Sequence, residues 1–379
     1  MDKGSAGGSW NRYAMRHRFH AICPYFAMFP ESFAERWINE LSRRGDVVLD
    51  PFSGRGTTAF QSLLLGRKAI ACDVNDVAYC VTKAKVHAPR LPSVLKRINA
   101  LEAGYRKGSW LQQARKMPDF FHVAYCDNTL RQTLYLREKL DWRNSKTDCM
   151  IAALVLGALH GESNKSPSYL SNQMPRTIST KPAYSIRFWS ERGFVAPDRD
   201  AFELLRTQAR YRYVSDPPSG DATIYHCDMR HLAWKKEFLP GPIRLAVTSP
   251  PYLDVTNYEE DQWLRLWFMG GPPHVTRNRV SRDDRHESQN KYWTFIADMW
   301  RMLGTVMGKK SSVVIRLGGR GQEIDSMLDR LTGTVIFTGR KVVLVSHEYS
   351  ELQNRQTDSF QPGTKGCLVE LDCHFRFRN

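Results

Sequence analysis

The chain has 379 residues, of which 42% are hydrophobic and 25% are charged. This composition supports a buried core and argues against intrinsic disorder, so we expect one large domain or two modest ones. The formal net charge of +16 favours a polyanionic partner if the basic residues cluster. The chain contains no run of about eighteen apolar residues, which argues against a membrane span.

The cysteines and the N-terminus point to a reducing compartment. None of the eight cysteines forms a C-x-x-C pair or lies near closely spaced histidines, so we expect free thiols and no metal site. The polar start of the chain, Met1–Gly8, lacks the apolar core of a signal peptide and is interpreted as a loose arm. We therefore expect a cytoplasmic protein.

Two strand–helix units are predicted near the N-terminus, behind an amphipathic helix at Phe33–Leu41. The run Asp46–Asp50 ends in an acid and leads through a glycine turn into a helical segment that continues to Leu65. A second run, Lys68–Cys72, is followed by Asp73. Two adjacent β-α units predict a parallel, doubly wound sheet.

The character of the chain changes over residues 91–220, which we interpret as an insertion. Helical patterns at Val94–Gly104, Leu130–Leu140 and Met150–His160 precede a polar stretch, Ser163–Ser190, that carries four basic residues and no acidic one. Prolines in that stretch exclude a continuous helix.

Sheet-like sequence then resumes and completes a predicted mostly parallel sheet of seven strands flanked by helices. The later runs are Ala222–Asp228, Ile243–Thr248, Ser312–Leu317, Lys341–Ser346 and Cys367–Phe375. The predicted organisation is therefore a catalytic domain in two parts, 1–90 and 221–379, with a helical and basic insertion, 91–220, between them.

The glycine turn predicts a cofactor site. Its residues are Pro51, Phe52, Ser53, Gly54, Arg55, Gly56, Thr57 and Thr58. The third glycine of a dinucleotide motif is absent, and Asp50 in front of the turn would repel a pyrophosphate but pair with an ammonium group. This favours S-adenosylmethionine over NAD.

Acids at the ends of neighbouring strands complete this prediction. Asp73, with Asn75 beside it, is expected to accept hydrogen bonds from ribose hydroxyls. Asp228, followed by Met229, is expected near the adenine amino group, and Asp127 after Tyr125–Cys126 competes for that role.

A second turn, Thr248–Tyr252, predicts the catalytic chemistry. Ser249, Pro250 and Pro251 precede Tyr252, and two prolines fix the backbone so that neighbouring carbonyls accept hydrogen bonds from a substrate amine. Tyr252 offers a ring on which an extruded base stacks. Fixed acceptors on both amine protons help a conjugated exocyclic amine become a nucleophile, without a covalent intermediate.

With these motifs, the chain resembles the DNA amino-methyltransferases that act on cytosine N4 or adenine N6. The resemblance covers roughly residues 20–85 and 221–379 and rests on Asp50–Thr58 and Ser249–Tyr252. The segment Cys23–Pro30, with Phe29, is similar to the family segment that closes over the methionine end of the cofactor. The resemblance implies a Rossmann-like methyltransferase fold, and a tetrapeptide that begins with serine is associated mostly with cytosine N4.

Two departures from the family pattern bear on that implication. The cofactor motif precedes the catalytic motif, whereas many cytosine-N4 members have the opposite order, and the large insertion lies in an unusual place. Adenine N6, an RNA substrate and a catalytically silent DNA-binding module therefore stay open as alternatives. The resemblance also leaves open whether a cognate restriction endonuclease accompanies the protein.

Double-stranded DNA is the expected partner, because a base methyltransferase extrudes its target and holds the duplex by its phosphates. The insertion is the candidate recognition region. Residues expected to read bases or contact phosphates are Asn164, Lys165, Asn172, Gln173, Arg176, Lys181 and Arg187. In an alternative interpretation, Tyr184, Phe188 and Trp189 form a small hydrophobic core of this segment and do not contact DNA. Trp263 and Trp267 lie on a predicted helix after the catalytic turn, and their side chains are expected in the hydrophobic core.

Overall fold

The strands follow the predicted apolar runs. A computed structural model describes residues 16–24, 29–161, 168–174, 181–238, 242–253, 261–275, 288–319, 324–352 and 367–378. The strands are β1 (Val47–Asp50), β2 (Lys68–Asp73), β3 (Ala222–His226), β4 (Ile243–Thr248), β5 (Met307–Gly319), β6 (Val342–Glu351) and β7 (Val369–Phe377). They form one seven-stranded sheet in the order β3-β2-β1-β4-β5-β7-β6.

The direction of the strands confirms the predicted fold class. The pairs β1–β2, β2–β3, β1–β4 and β4–β5 are parallel, and β7 runs antiparallel to both β5 and β6. The chain moves from β1 outward to β3, then returns to β4 on the other side of β1. In open α/β sheets such a reversal opens a crevice at the carboxyl ends of the strands. This is the Rossmann-like methyltransferase arrangement.

Helices cover both faces of the sheet. Those that precede the insertion are α1 (Glu31–Leu41), α2 (Thr57–Leu64) and α3 (Asp76–Val86). Those of the insertion are α4 (Leu91–Gly104), α5 (Leu111–Arg115), α6 (Asp119–Ala124), α7 (Asp127–Lys139), α8 (Lys146–Ala158), α9 (Pro182–Glu191) and α10 (Ala201–Arg212). The last are α11 (Trp263–Phe268), α12 (Gln289–Val306) and α13 (Ile324–Thr334).

Alternate residues of the strands point to opposite layers. In β2, Ile70 and Cys72 pack with helices α12 and α13, whereas Ala69 and Ala71 pack with α2 and α3. Helix α1 lies on the side of Ala69 and packs on Val48 of β1. This period-two burial is expected of a sheet that is covered on both faces.

The insertion is a further layer that shares its core with the sheet domain. Phe121 of α6 and Trp267 of α11 lie in one continuous cluster with Phe60 of α2 and Val77 of α3. The ring centroids of Phe121 and Trp267 are 4.5 Å apart. Trp263 and Trp267 are both buried in this cluster, as expected.

Two local predictions in the insertion were wrong. Tyr125–Cys126, expected to end a strand, directly precedes helix α7, and Asp127 is the first residue of that helix. The residue types there suit a strand, but Asp127 at a helix start stabilises the partial positive charge of that end. Within the predicted small core, Phe188 and Trp189 are buried, whereas Tyr184 is exposed.

Because the core is continuous, a cavity in the insertion should destabilise the whole fold. We expect Phe121→Ala to lower the free energy of unfolding by about 3–5 kcal/mol, the usual cost of a buried phenylalanine. Ile336→Ala is the control, since Ile336 is 77% exposed; its effect should stay within about 0.5 kcal/mol. Urea unfolding followed by fluorescence and by circular dichroism measures both. Separate transitions for the insertion and the sheet would contradict a shared core.

Candidate active site

The predicted site residues meet at the carboxyl ends of β1, β2 and β4. Asp50 ends β1, Asp73 ends β2, and Thr248 ends β4 directly before the catalytic turn. Since β1 lies between β2 and β4, the two sequence motifs face one crevice. Parallel pairing of β1 with β4 therefore brings together motifs that are far apart in the chain.

Asp50 is the buried acid of this crevice. Its Oδ1 accepts hydrogen bonds from the Thr248 hydroxyl at 2.7 Å and from the Phe52 N–H at 3.2 Å. Its Oδ2 is also buried and meets no hydrogen-bond donor among the described residues. Burial raises the pKa of Asp50 to about 6, against the lowering effect of the Thr248 hydroxyl, the Phe52 N–H and the nearby Thr58 hydroxyl.

The glycine turn needs its glycines for conformation and for space. Gly54 and Gly56 have φ of 50° and 75°, in the left-handed region that disfavours side chains. A Cβ on Gly56 would lie 2.6 Å from the Thr82 hydroxyl oxygen of α3. Gly56 thus lets the turn approach α3, and the Ser53 N–H ties the turn to the sheet by donating to the Cys72 carbonyl of β2 at 3.0 Å.

Other members of the predicted cofactor set hold this turn in place. The buried Thr58 hydroxyl donates to the Val247 carbonyl of β4 at 3.0 Å, and the Thr57 hydroxyl accepts from the Arg55 guanidinium at 3.1 Å. Pro51 is buried, and the half-buried Phe52 packs on Phe295 with ring centroids 5.2 Å apart. The structure assigns these side chains a role in fixing the turn.

Asp73 is oriented by backbone groups. Its two carboxylate oxygens accept from the N–H groups of Gly54 and Asn75, each at 2.9 Å. The Asn75 side-chain oxygen caps α3 by accepting from the N–H groups of Val77 and Ala78. One carboxylate thus joins the glycine turn to the start of the next helix.

Asp228 follows β3 at the same edge of the sheet. Its carboxylate pairs with the Arg230 guanidinium at 2.7 Å, and the next residue, Met229, is buried. The competing Asp127 lies in helix α7 and pairs with Arg131 there. Asp228 thus follows a strand of the sheet whereas Asp127 lies in a helix, and the adenine role of Asp228 stays a prediction.

Arg55, inside the glycine turn, is a site residue that the sequence analysis did not single out. It is buried, and it donates to the carbonyls of His20 at 3.2 Å and Phe29 at 3.5 Å. Phe29 itself is buried against Phe33. Arg55 thus ties the cofactor turn to His20 and Phe29, while residues 25–28 of the segment expected to close over the cofactor lie outside the described residues. The sequence did carry a signal for Arg55, because a charged residue between two glycines of a turn is unusual.

The catalytic turn is anchored at both ends. The Ser249 hydroxyl donates to the Arg316 carbonyl of β5 at 3.0 Å, and the Tyr252 hydroxyl donates to Glu370 of β7 at 3.3 Å. Pro250 is buried, Pro251 is half-buried, and Tyr252 is only 6% exposed, so little of its ring is open to a base in this structure and the stacking role stays a prediction. Burial raises the pKa of Tyr252 well above its ordinary value, so its phenol stays protonated and donates.

The expected DNA contacts are only partly described. Lys165 and Arg176, with Asn164, lie outside the described residues. Lys181 is exposed in front of α9, and Arg187 is exposed on that helix near Glu191, 4.0 Å away. Asn172 was wrongly expected to read bases, since it is buried and donates to the Val123 carbonyl at 2.7 Å.

The residues present fit S-adenosylmethionine. The buried Asp50 Oδ2 offers an acceptor for the ammonium group of the methionine moiety, and the oriented Asp73 carboxylate offers acceptors for ribose hydroxyls. A buried acceptor without a partner is costly, and an ammonium group would satisfy it. Asp50 and Asp73 are therefore the residues that would hold the methionine and ribose parts of the cofactor, and the adenine contact of Asp228 stays a prediction.

The raised pKa of Asp50 predicts that cofactor affinity depends on pH. Below about 6 the carboxyl is protonated and loses its attraction for an ammonium group. Affinity for S-adenosylhomocysteine should therefore be constant from pH 7.5 down to about 6, then fall by up to about tenfold per pH unit. Calorimetry between about pH 5 and 7.5 measures this dependence.

Two variants check the assignment. The Asp50→Asn variant should bind S-adenosylhomocysteine more weakly at neutral pH, and its affinity should no longer change with pH near the pKa of the Asp50 carboxyl. Asp73→Ala is the control, since it should weaken binding by about 1–3 kcal/mol at every pH while the dependence persists. A wild-type affinity that is independent of pH would remove Asp50 from the ammonium site.

Comparisons with known proteins point to one family. Residues 6–83 match the family model described as N6_N4_Mtase, DNA methylase. The chain is 46% identical over 54 residues to the orphan methyltransferase M.BamHII of Bacillus amyloliquefaciens, which covers 14% of this chain and 20% of that protein. It is 44% identical over 52 residues to the type II methyltransferase M.HpaI of Haemophilus parainfluenzae, or 14% of this chain and 17% of that protein.

Solved structures are similar at low identity. An rRNA methyltransferase, aviRa from Streptomyces viridochromogenes, is 12% identical, with 94% of this chain and 89% of that chain covered and a TM-score of 0.33. SMU.1697c from Streptococcus mutans, described in complex with SAH, is 7% identical, with 92% and 98% covered and a TM-score of 0.31. The fold assignment rests instead on strand order and direction.

The described residues contain no helix that is long and apolar enough to cross a membrane.

The chain matches about a fifth of the length of the curated relatives, and the family match contains Asp50, the glycine turn and Asp73. S-adenosylmethionine is the cofactor of this family and fold. By its family-model match over residues 6–83 and its curated relatives, this part of the chain is similar to the DNA amino-methyltransferases.

Proposed function

We propose that this protein is a DNA methyltransferase that transfers a methyl group from S-adenosylmethionine to the exocyclic N4 amine of cytosine in a flipped-out base. The observation that carries the proposal is the 2.7 Å hydrogen bond between Thr248 and Asp50. It joins the residue before the catalytic tetrapeptide to the acid of the cofactor turn. A nucleophile bound at Ser249–Tyr252 would thus lie beside the cofactor.

The residues of the catalytic turn prepare the amine. S-adenosylmethionine supplies a methyl group on an electrophilic sulfonium. The Ser249 hydroxyl hydrogen is directed to the Arg316 carbonyl, so the lone pairs of that hydroxyl oxygen are available to an amine N–H. With the Pro250 carbonyl as a second acceptor, both amine protons would be held and the nitrogen lone pair would be left for reaction. When the nitrogen gains the methyl group, the sulfur–methyl bond would break to leave a neutral thioether, and one amine proton would then be released to solvent.

Cytosine N4 is proposed over adenine N6 because the tetrapeptide begins with serine. The order of the motifs does not favour cytosine, so the product itself must decide. The location that follows from this function is the cytoplasm of a prokaryotic cell, associated with the nucleoid through DNA.

Methyl transfer to duplex DNA tests the proposal. We expect radiolabel from S-adenosylmethionine to enter DNA, and nucleoside mass spectrometry to identify N4-methylcytosine. N6-methyladenine would change the proposed base but keep the chemistry, whereas 5-methylcytosine would exclude the amino-methyltransferase mechanism. Absence of transfer by a folded protein that binds the cofactor would favour a silent binding module.

Variants in the same assay separate the catalytic turn from the nearby thiols. Tyr252→Ala and Ser249→Ala should each lower turnover while cofactor affinity persists. Loss of stacking alone costs about 1–3 kcal/mol, and misalignment adds to it. Cys227→Ser is the control: its Sγ lies 3.6 Å from Cys72 Sγ near the cofactor acids, but direct amine attack uses no thiol. A folded Cys227→Ser protein without activity would contradict the mechanism.

The insertion is proposed as the DNA-recognition region, supported by the basic composition of Ser163–Ser190 and the exposure of Lys181 and Arg187. Glutamine at Lys165, Arg176, Lys181 and Arg187 should lower DNA affinity and flatten its salt dependence. The slope should fall by about 0.9 for each phosphate that the protein no longer neutralises. Fluorescence anisotropy at several salt concentrations measures that slope.

A matched control removes the same charge from the amino ends of the strands, away from the crevice at their carboxyl ends. Arg43, Arg44, Lys309 and Lys310 are exposed and lie at the amino ends of β1 and β5. Glutamine at all four should leave the salt slope close to that of the wild type. Equal slopes for the two variants would place the DNA contacts elsewhere.

A further inference from the structure

Three charged residues lie directly behind the catalytic turn, two of them buried and the third nearly so. Arg316 belongs to β5, and Glu370 and Asp372 belong to β7. Arg316 is paired with Asp372 across the two strands, and Gly318 is paired with Glu370. The Arg316 guanidinium contacts Asp372 through two hydrogen bonds of 2.6 and 2.7 Å, and Glu370 at 2.7 Å.

Stability alone does not explain this cluster. Arg316 is 8% exposed and Asp372 is 6% exposed, and their desolvation offsets much of the attraction between them. Buried ion pairs are often replaced by apolar residues without loss of stability. Their neighbours in the apolar strands, such as Ile315 and Leu371, are fully buried hydrophobic residues. The charges therefore call for a role beyond packing.

Strands β5 and β7 contact the catalytic turn at three points, two of them through the charged cluster. Glu370 Oε1 accepts from the Tyr252 hydroxyl, and the Arg316 carbonyl accepts from the Ser249 hydroxyl. The Tyr252 ring also lies against Gly318, where a Cβ would approach ring carbons to 2.2 Å. A side chain at Gly318 would thus displace the ring. Position and hydrogen bonding of Tyr252 are both set from β5 and β7.

We propose that Glu370, held by Arg316, is a positioning residue for methyl transfer that acts through the Tyr252 hydroxyl. This inference rests on the proposed function and adds a residue outside the catalytic tetrapeptide. Arg316 binds one carboxylate oxygen of Glu370, and the other oxygen accepts from Tyr252. The ring on which the base would stack is then held before the base arrives.

Pre-positioning affects the rate because the amine must align with the methyl group. A ring that rotates away from Glu370 would let the base bind in orientations that do not react. Geometry errors of this kind reduce turnover more than they reduce binding. Burial raises the pKa of Glu370, and the nearby Arg316 opposes that shift.

A double-mutant cycle tests the coupling between Glu370 and Tyr252. We expect Glu370→Ala to lower kcat by about 10- to 100-fold, with KM for DNA changed less than kcat. Glu370→Gln keeps an acceptor for the Tyr252 hydroxyl and should retain more activity than Glu370→Ala. In a Tyr252→Phe background, which lacks the hydroxyl, Glu370→Ala should lower kcat by no more than about twofold.

The control is Glu348→Gln. Glu348 lies on β6 and pairs with Arg36 at 2.6 Å, but it is exposed and has no contact with the catalytic turn among the described residues. It should leave kcat unchanged. Thermal unfolding and cofactor affinity show which variants are folded, and the milder Glu370→Gln carries the test if Glu370→Ala does not fold.

The outcomes distinguish the two proposals. If Glu370→Ala lowers kcat by the same factor in the wild type and in Tyr252→Phe, coupling through the Tyr252 hydroxyl is excluded. Wild-type kcat in Glu370→Gln and Glu370→Ala would also overturn it. A wild-type protein that transfers no methyl group to DNA would instead overturn the proposed function, and the positioning role with it.

Discussion

One buried hydrogen bond, from the Thr248 hydroxyl to Asp50, links the two halves of the site. Asp50 ends β1 and Thr248 ends β4, and the strands are neighbours at the point where the chain reverses direction across the sheet. The bond occupies Oδ1, whereas the buried Oδ2 has no hydrogen-bond partner among the described residues. A second link, from Thr58 to the Val247 carbonyl, holds the start of α2 against β4. Cofactor turn and catalytic turn are thus fixed relative to each other by the sheet.

Features marked by short-range patterns were predictable from the sequence. The apolar runs that end in Asp50, Asp73 and Thr248 became strands, because such runs bury both faces of a parallel sheet. The outer strand β6 was predicted only to Ser346, yet it continues to Glu351. Its last residues are polar and exposed, and they are held by backbone pairing to β7, which leaves no hydrophobic pattern to read.

Contacts between distant segments were not predictable. Arg55 reaches the carbonyls of His20 and Phe29, and Arg316 of β5 reaches Glu370 and Asp372 of β7. The partners of Arg316 depend on strand register, and a shift of one residue would turn each side chain to the other face. Charged residues inside apolar strands were a visible signal, but their partners became known only from the pairing of β5 with β7.

The parallel pairing of β1 with β4 also bears on how such enzymes diversify. The cofactor motif and the catalytic motif meet through hydrogen bonds between strands, not through the peptide segment that joins them. Exposed residues of the 91–220 segment can therefore vary while the crevice keeps its shape, whereas residues in the shared core, such as Phe121, are constrained by packing. For the same reason, a chain in which the two motifs occur in the opposite order can build the same crevice.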